Sequence, residues 1–388
     1  MEELIWIKII LNLLSEVMKY CKSCVMPNTK PGVYFDEEGN CNACRNMKIK
    51  EKINWSDREA QLRILISEIK KNKKNKNDYD CLVPISNGGK DSWFQAYTLS
   101  KKFNCKVLCV NLSAHLPTKE GISNINHMIE DLNIDIIKIT VKPSVHANLR
   151  LKAFKKLGEP NWTEHCLVFA GVFNMAKLYN VPLVVWGEDV AFEFGGTSTE
   201  QRSDATNLLG DNDLIKGKKI SELKGKDIFK KDLFFYEFPN NNDLKRNDIR
   251  SIYLSYFVNW DGESNFKFVK KRGFTPLKKP RKGHLVTYDN IDEKLCEING
   301  WFKYLKFGFW FPTDEICNEI WNKRLSREKG IEYLKKLNDD FPIDHFEDFL
   351  NFHNISEDEF FKVAYKFVNK KIFMKHNNFF KLKEYFES

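Results

Sequence analysis

The chain lacks a hydrophobic run long enough to span a bilayer. Its most apolar stretch, Leu4 to Val17, is broken by Lys8 and falls short of the roughly 20 apolar residues a spanning helix needs. Nor does this stretch read as a signal peptide, because Glu2 and Glu3 stand where a basic region belongs and no small-residue cleavage site follows. Residues 1–17 read as an upstream extension ahead of a natural start at Met18, with a short amphipathic helix as the other reading. There is no internal repeat and no heptad array, which sets aside solenoids and coiled coils. There is no Walker A loop, because Asp91 follows Lys90 where Ser or Thr is required. The basic residues form no concentrated stripe, so the net charge of +9 suits anionic ligands such as nucleotides or sugar phosphates without calling for nucleic acid. The ten cysteines are mostly isolated in a chain of this length, which points to a reducing cytoplasm and not to a disulfide scaffold.

What is present is organised around Asp80-Cys-Leu-Val-Pro-Ile-Ser86-Asn87-Gly88-Gly89-Lys90-Asp91-Ser92. An apolar strand runs into adjacent glycines, and a helical pattern follows at once. The glycines let main-chain N–H groups point at phosphate oxygens, the serine hydroxyls add donors, and Lys90 adds charge. The plainer reading is a strand-to-helix turn with Asp91 or Ser92 as N-cap.

Upstream, Cys21-Lys-Ser-Cys24 and Cys41-Asn-Ala-Cys44 form two CxxC pairs, the spacing of a Zn²⁺ ribbon or knuckle. Four thiolates leave no open position on the metal, so the role expected is structural. Two disulfides or an iron–sulfur cluster are the alternatives. A polar helix, Asp57 to Asn77, links this module to the next.

From Asp80 the pattern alternates: strand to Ser86, helix from Ser92, strand 106–112, helix 121–132, strand 135–140, helix 164–179, strand 182–186. This predicts an α/β fold, a doubly wound parallel sheet, whose ligands sit at the carboxyl ends of strands. Asn87 to Ser92, Asn111 to His115 and Gly187 to Glu193 would then share one edge. Gly187-Glu188-Asp189-Val-Ala-Phe-Glu193-Phe-Gly195-Gly196 offers carboxylates that could hold Mg²⁺, orient an amine or contact sugar hydroxyls, against the plainer reading of a solvated turn. His165 is a weaker candidate, since a lone histidine there also serves as a cap or packing residue. The expected division is 18–56 as the four-cysteine module, 78–200 as the nucleotide-binding core, 201–248 as a long polar loop ordered over substrate, and 249–388 as a mainly helical region for substrate or oligomer contacts. In that last region the aromatic run Trp301 to Trp310 reads chiefly as a buried helix contact.

Together these motifs resemble the N-acetyl sugar amidotransferase family of the PP-loop ATP pyrophosphatases. The resemblance rests on the double CxxC, the loop Ser86 to Ser92 (similar to SGGxDS, with Asn87 replacing or following the first serine), the segment Gly187 to Gly196, and Lys306-Phe307-Gly308. After Phe309 the family's Gly-Arg-Ala-Thr-Asp is replaced by Trp310-Phe-Pro-Thr-Asp314, which removes an arginine. Within the family the chain looks most similar to enzymes acting on pseudaminic-acid sugars for flagellin glycosylation. The resemblance implies a PP-loop fold, ATP with Mg²⁺, and conversion of an acetamido to an acetamidino group with release of AMP and pyrophosphate. It further implies ATP contacts from Ser86, Asn87, Gly88, Gly89, Lys90, Asp91, Ser92, Asn111 and Gly187. Catalytic roles would fall to Lys90, Asp91, Glu188 and Glu193. Sugar contacts would come from His165, Asp189, Gly195, Gly196 and Lys306. No glutaminase signature is present, so ammonia is expected from a separate glutaminase or from solution. A PP-loop tRNA-modifying enzyme and a non-catalytic zinc-containing nucleic-acid-binding protein are the rival readings. The first is weakened by the scatter of Cys105, Cys109, Cys166, Cys296 and Cys317, and the second leaves the Gly-Gly-Lys-Asp-Ser loop without a purpose.

Overall fold

The computed structural model describes residues 18–73, 75–112, 116–196, 200–209, 215, 218–223, 225, 228–240, 242, 244, 248–376 and 379–383. The leader 1–17 and its two readings lie outside the described residues.

Helix α1 (Asn42–Lys50) starts at the second CxxC, and α2 (Trp55–Asn72) follows. The α/β core then lays down β1 (Cys81–Pro84), α3 (Lys90–Tyr97, with a π-helical extension Thr98–Lys102), β2 (Val107–Leu112), α4 (Lys119–Leu132), β3 (Asp135–Ile139), α5 (Pro143–Leu157), α6 (Trp162–Leu178), β4 (Leu183–Trp186), the single turn α7 (Val190–Glu193) and β5 (Arg250–Tyr253). All five strands are parallel, in the order β3-β2-β1-β4-β5. The chain therefore reverses its direction of travel across the sheet between β1 and β4, which opens a crevice at their carboxyl ends.

Burial on both faces explains the near-continuous apolar strands. Leu82, Leu108, Val110, Val184 and Trp186 pack under α5 and α6, while Cys81, Val83, Cys109, Leu183 and Val185 pack under α2, α3 and α4. Local signals set the helix ends. The Thr118 hydroxyl accepts from the Gly121 amide to start α4, and Gly158 ends α5 in the left-handed region at φ +59°.

Two expected boundaries are corrected. The region 249–388 supplies β5, which pairs with β4 residue for residue from Leu183↔Arg250 to Trp186↔Tyr253; the core extends past 248. A strand of four residues between polar and helical stretches gives too short a pattern to read. Within 201–248 the described residues Leu208, Ile220, Leu223, Leu233, Tyr236 and Leu244 are likewise part of the core, buried in the cluster beneath α5 and α6. Widely spaced single apolar residues do this anchoring, and they leave the segment polar in composition.

Beyond β5 come α8 (Gly262–Lys270), α9 (Cys296–Phe307), α10 (Phe311–Trp321), α11 (Arg327–Leu337), α12 (Phe346–His353) and α13 (Glu357–Phe367), then a hairpin of β6 (Phe373–His376) and β7 (Phe379–Leu382). Trp301, Phe302 and Tyr304 are buried with Phe349, Phe360 and Val363 in a separate aromatic core. No helix among the described residues is long and apolar enough to cross a membrane.

Candidate active site at the carboxyl edge of the sheet

The loop after β1 folds as its composition requires. Gly88 has φ +113°, and a Cβ there would lie 2.3 Å from the Gly121 carbonyl oxygen, so glycine is obligatory. Ser86 Oγ accepts from the Gly89 amide at 2.9 Å, and Ser92 Oγ accepts from the Ser86 amide at 2.9 Å. The Ser86 side chain closes this turn. Gly89 begins α3 without any side-chain cap, so the amides of the first turn are left for an anion.

This loop forms one wall of a cavity of about 1160 Å³, above the usual range for small-molecule sites and ample for a nucleotide beside a second substrate. Ser86, Asn87, Gly89, Lys90, Asp91, Ser92, Asn111, His165, Gly187, Glu188, Asp189, Glu193 and Gly195 all line it.

Lys90 is buried and its Nζ lies 2.5 Å from both Asp91 Oδ2 and Asp289 Oδ1. Burial works to lower its pKa, but the two carboxylates outweigh burial and hold it protonated. Asp91 Oδ1 accepts from Asn265 Nδ2 at 2.8 Å. Asn111 at the end of β2 donates to the Ile85 carbonyl at 3.0 Å, and its buried Oδ1 has no protein partner.

After β4, Glu188 is half-buried and faces Asp91, Lys90 and Glu193. Burial first, then the Asp91 carboxylate, pushes its pKa up to about 7. Glu193 is buried, with Oε2 2.6 Å from Lys50 Nζ and Oε1 without a protein partner. Burial raises its pKa against the pull of Lys50. Burial, then the Lys303 ammonium, holds His165 down to about 4, so its imidazole is neutral near pH 7.

The other expected sugar contacts have protein neighbours of their own. Both Asp189 oxygens are taken by Arg202, at 2.9 and 3.0 Å, and Oδ1 also caps α7 through the Ala191 amide. Lys306 pairs at 3.0 Å with Glu159, which lines the cavity. Gly195 and Gly196 touch the four-cysteine module: a Cβ on Gly195 would lie 3.1 Å from Ala43 Cβ, and the Gly196 carbonyl accepts from Asn42 Nδ2 at 2.9 Å. Gly195 owes its glycine character to that close approach and to its φ of +78°. Lys30, Lys50, Arg202, Asp289 and Lys303 line the cavity as well. None had a motif to mark it, and Asp289 reaches Lys90 only because the C-terminal region folds back over the loop.

The four cysteine sulfurs lie within 4.8 Å of one another, with Cys21–Cys44 and Cys24–Cys41 each 3.7 Å apart. A tetrahedral Zn²⁺ with bonds of about 2.3 Å has sulfur–sulfur edges of about 3.8 Å, whereas a disulfide needs about 2.05 Å. The donor set fits zinc, and the separations are too long for disulfides. The Cys41 amide and the Trp321 indole N–H donate to Cys21 and Cys44 sulfurs at 3.2 and 3.1 Å, stabilising thiolates.

Residues 266–386 match the family described as LPS biosynthesis protein WbpG-like, C-terminal domain. No curated protein matches the chain. Among solved structures, the NH3-dependent NAD synthetase from Campylobacter jejuni subsp. jejuni NCTC 11168, in complex with the nitrate ion, aligns at TM-score 0.27 and 17% identity over 34% of this chain and 56% of its own. The chain thus spans little more than half of that relative's length. NMN synthetase from Francisella tularensis aligns at TM-score 0.28 and 15% identity, over 59% of this chain and 99% of its own. Alignments this loose assign no residue a role.

Proposed function

We propose that the chain is an ATP-dependent, AMP-forming amidotransferase that turns the N-acetyl group of a bacterial sugar, of the pseudaminic-acid type, into an acetamidino group. The observation that carries this reading is the uncapped glycine turn at the switch point, facing across one cavity a carboxyl group, Glu188, poised near neutrality. An amide oxygen leaves poorly. Its attack on the α-phosphorus of ATP forms an O–P bond and breaks the bond to pyrophosphate, giving an O-adenylyl imidate. Ammonia then adds to the imidate carbon, the C–O bond breaks, and AMP leaves with the oxygen.

In this scheme the first-turn amides of α3 and the Ser92 hydroxyl hold the departing pyrophosphate. Lys90, clamped by Asp91 and Asp289, sets the position of those carboxylates. Glu188, able to exchange a proton near pH 7, takes the proton that the attacking nitrogen must lose. Asp91, Asp289 or Glu188 would hold Mg²⁺, which would offset the charge developing on the departing pyrophosphate; among the described residues the four cysteines alone form a preassembled ligand group. Zn²⁺ stays structural. Ammonia comes from a separate glutaminase or from solution. No described cavity-lining residue is a cysteine, which disfavours a thiolating tRNA enzyme.

The test is product analysis with ATP, Mg²⁺, an ammonium salt and a panel of N-acetyl sugars, free and nucleotide-linked. AMP, pyrophosphate and a product mass lowered by the exchange of O for NH are expected. Release of ADP and phosphate removes the proposal.

A further inference from the structure

The four-cysteine module reaches the cavity through one helix face. Cys41 is the N-cap of α1 and Cys44 lies in its first turn, so the metal site holds the start of this helix. Asn42, Asn46 and Lys50 recur at four-residue spacing and share one side of it. That side lies along the segment 192–196. Asn46 Nδ2 donates to the Phe192 carbonyl at 3.0 Å, Lys50 Nζ meets Glu193 Oε2 at 2.6 Å, and Asn42 Nδ2 donates to the Gly196 carbonyl. From the turn between the CxxC pairs, Lys30 Nζ donates to the Phe194 carbonyl at 2.9 Å. Gly195, at φ +78°, packs on Ala43 and Val33. Every residue from 192 to 196 is therefore touched by the module.

The carboxylate at the middle of this clasp is set up for a cation. Glu193 Oε2 is taken by Lys50, which also donates to the Trp260 carbonyl at 2.6 Å. Oε1 is buried in the cavity wall with no protein partner. The charged groups around it are Lys50 from α1, Glu188 and Asp189 from its own segment, and Asp261 from the start of α8. Arg202 pairs with Asp189, and Arg324 pairs with Asp261 while also meeting Glu263 and Glu319, so acids outnumber bases around the open oxygen of Glu193 and favour a cation there.

We infer that Lys50 is a positioning residue through which the four-cysteine module fixes Glu193 so that its open Oε1 receives the incoming ammonium ion. This rests on the amidotransferase reading above. Ammonium gives one proton to Oε1, the N–H electron pair stays on nitrogen, and neutral ammonia is released beside the imidate carbon. Lys50 never touches the ion. It holds one carboxylate oxygen, aims the other, and limits how far burial raises the carboxyl pKa.

Lys50→Met and Lys50→Arg in the zinc-loaded full chain test this. In Lys50→Met the half-saturating ammonium concentration should rise by about tenfold, and the acid limb of amidine formation should move to higher pH. The half-saturating ATP concentration should change by less than about twofold, and Lys50→Arg should recover most of the ammonium dependence. An unchanged ammonium dependence and acid limb in Lys50→Met overturns the inference. Hydrogen exchange gives a readout free of turnover: amides of 192–196 should exchange faster in Lys50→Met, and in Asn46→Ala should the first variant fail to fold, while β1 and β2 keep their protection. Equal exchange in wild type and variant also overturns it. If the wild type makes no amidine yet exchange quickens, the amidotransferase reading fails and the clasp stands.

Discussion

Glu188→Gln should change stability in a pH-dependent way that the cavity dictates. The folded protein holds the Glu188 carboxyl at about 7, against an ordinary value of 4.5, because burial and the Asp91 carboxylate disfavour the charged form. A carboxyl raised on folding contributes stability that is fully present below its unfolded pKa and is lost as pH rises through the folded one. At pH 5 the folded group is almost wholly protonated while the unfolded group is largely ionised. At pH 8 both are ionised. Between these points the wild type loses about 2.5 kcal/mol through this one residue, and the partial exposure of Glu188 can only reduce that figure. Glutamine does not titrate. The stability of Glu188→Gln relative to wild type should therefore rise by about 2 kcal/mol from pH 5 to pH 8. Urea midpoints for both proteins at the two pH values, in zinc-containing reducing buffer, measure this, because titrations of groups remote from Glu188 cancel in the difference. A difference that stays constant with pH refutes the placement of Glu188 in a desolvating, negatively charged wall. The same group should make amidine formation by the wild type climb as pH rises through about 7.

Asp91→Ala and Ser92→Ala should each depress sugar-dependent AMP formation by about 100- to 1000-fold with the circular dichroism spectrum preserved; AMP release at the wild-type rate would detach the loop from the chemistry. Gly88→Ala should cost at least about 2 kcal/mol, read as a lowered urea midpoint, since the added Cβ meets the Gly121 carbonyl oxygen at 2.3 Å. Cys24→Ser should lose stoichiometric zinc by metal analysis and lower soluble yield, because metal binding is coupled to folding. A wild-type protein with neither zinc nor cluster absorbance would count against the metal site.

Local order carried much of this molecule into view. The alternation of β1 to β4 with α3, α4 and α6 is legible because strands covered on both faces need continuous apolar runs and their helices need a 3.6-residue period. The loop Ser86 to Ser92 and the two CxxC pairs are legible because each motif is contiguous, with backbone and side chains cooperating over a few residues. The helix α5 carries no comparable signal in the sequence, and β5, at four residues, is too short to show one. Among site residues, Glu188 and Glu193 stand out in the sequence as acids beyond a strand, but their different environments do not.

What the sequence determined by itself was therefore the set of locally encoded parts: the parallel sheet, the glycine turn, the four thiolates and the edge on which they work. Tertiary structure alone decided the partners. Asp189 is spent on Arg202, Lys306 on Glu159, and Lys90 on Asp91 and Asp289, while Lys50 arrives at Glu193 across 143 residues of chain. The physical reason is that an ion pair or a desolvated carboxyl depends on distance in space and on excluded water. Neither quantity is written in the spacing of residues along a chain that must first fold to bring them together.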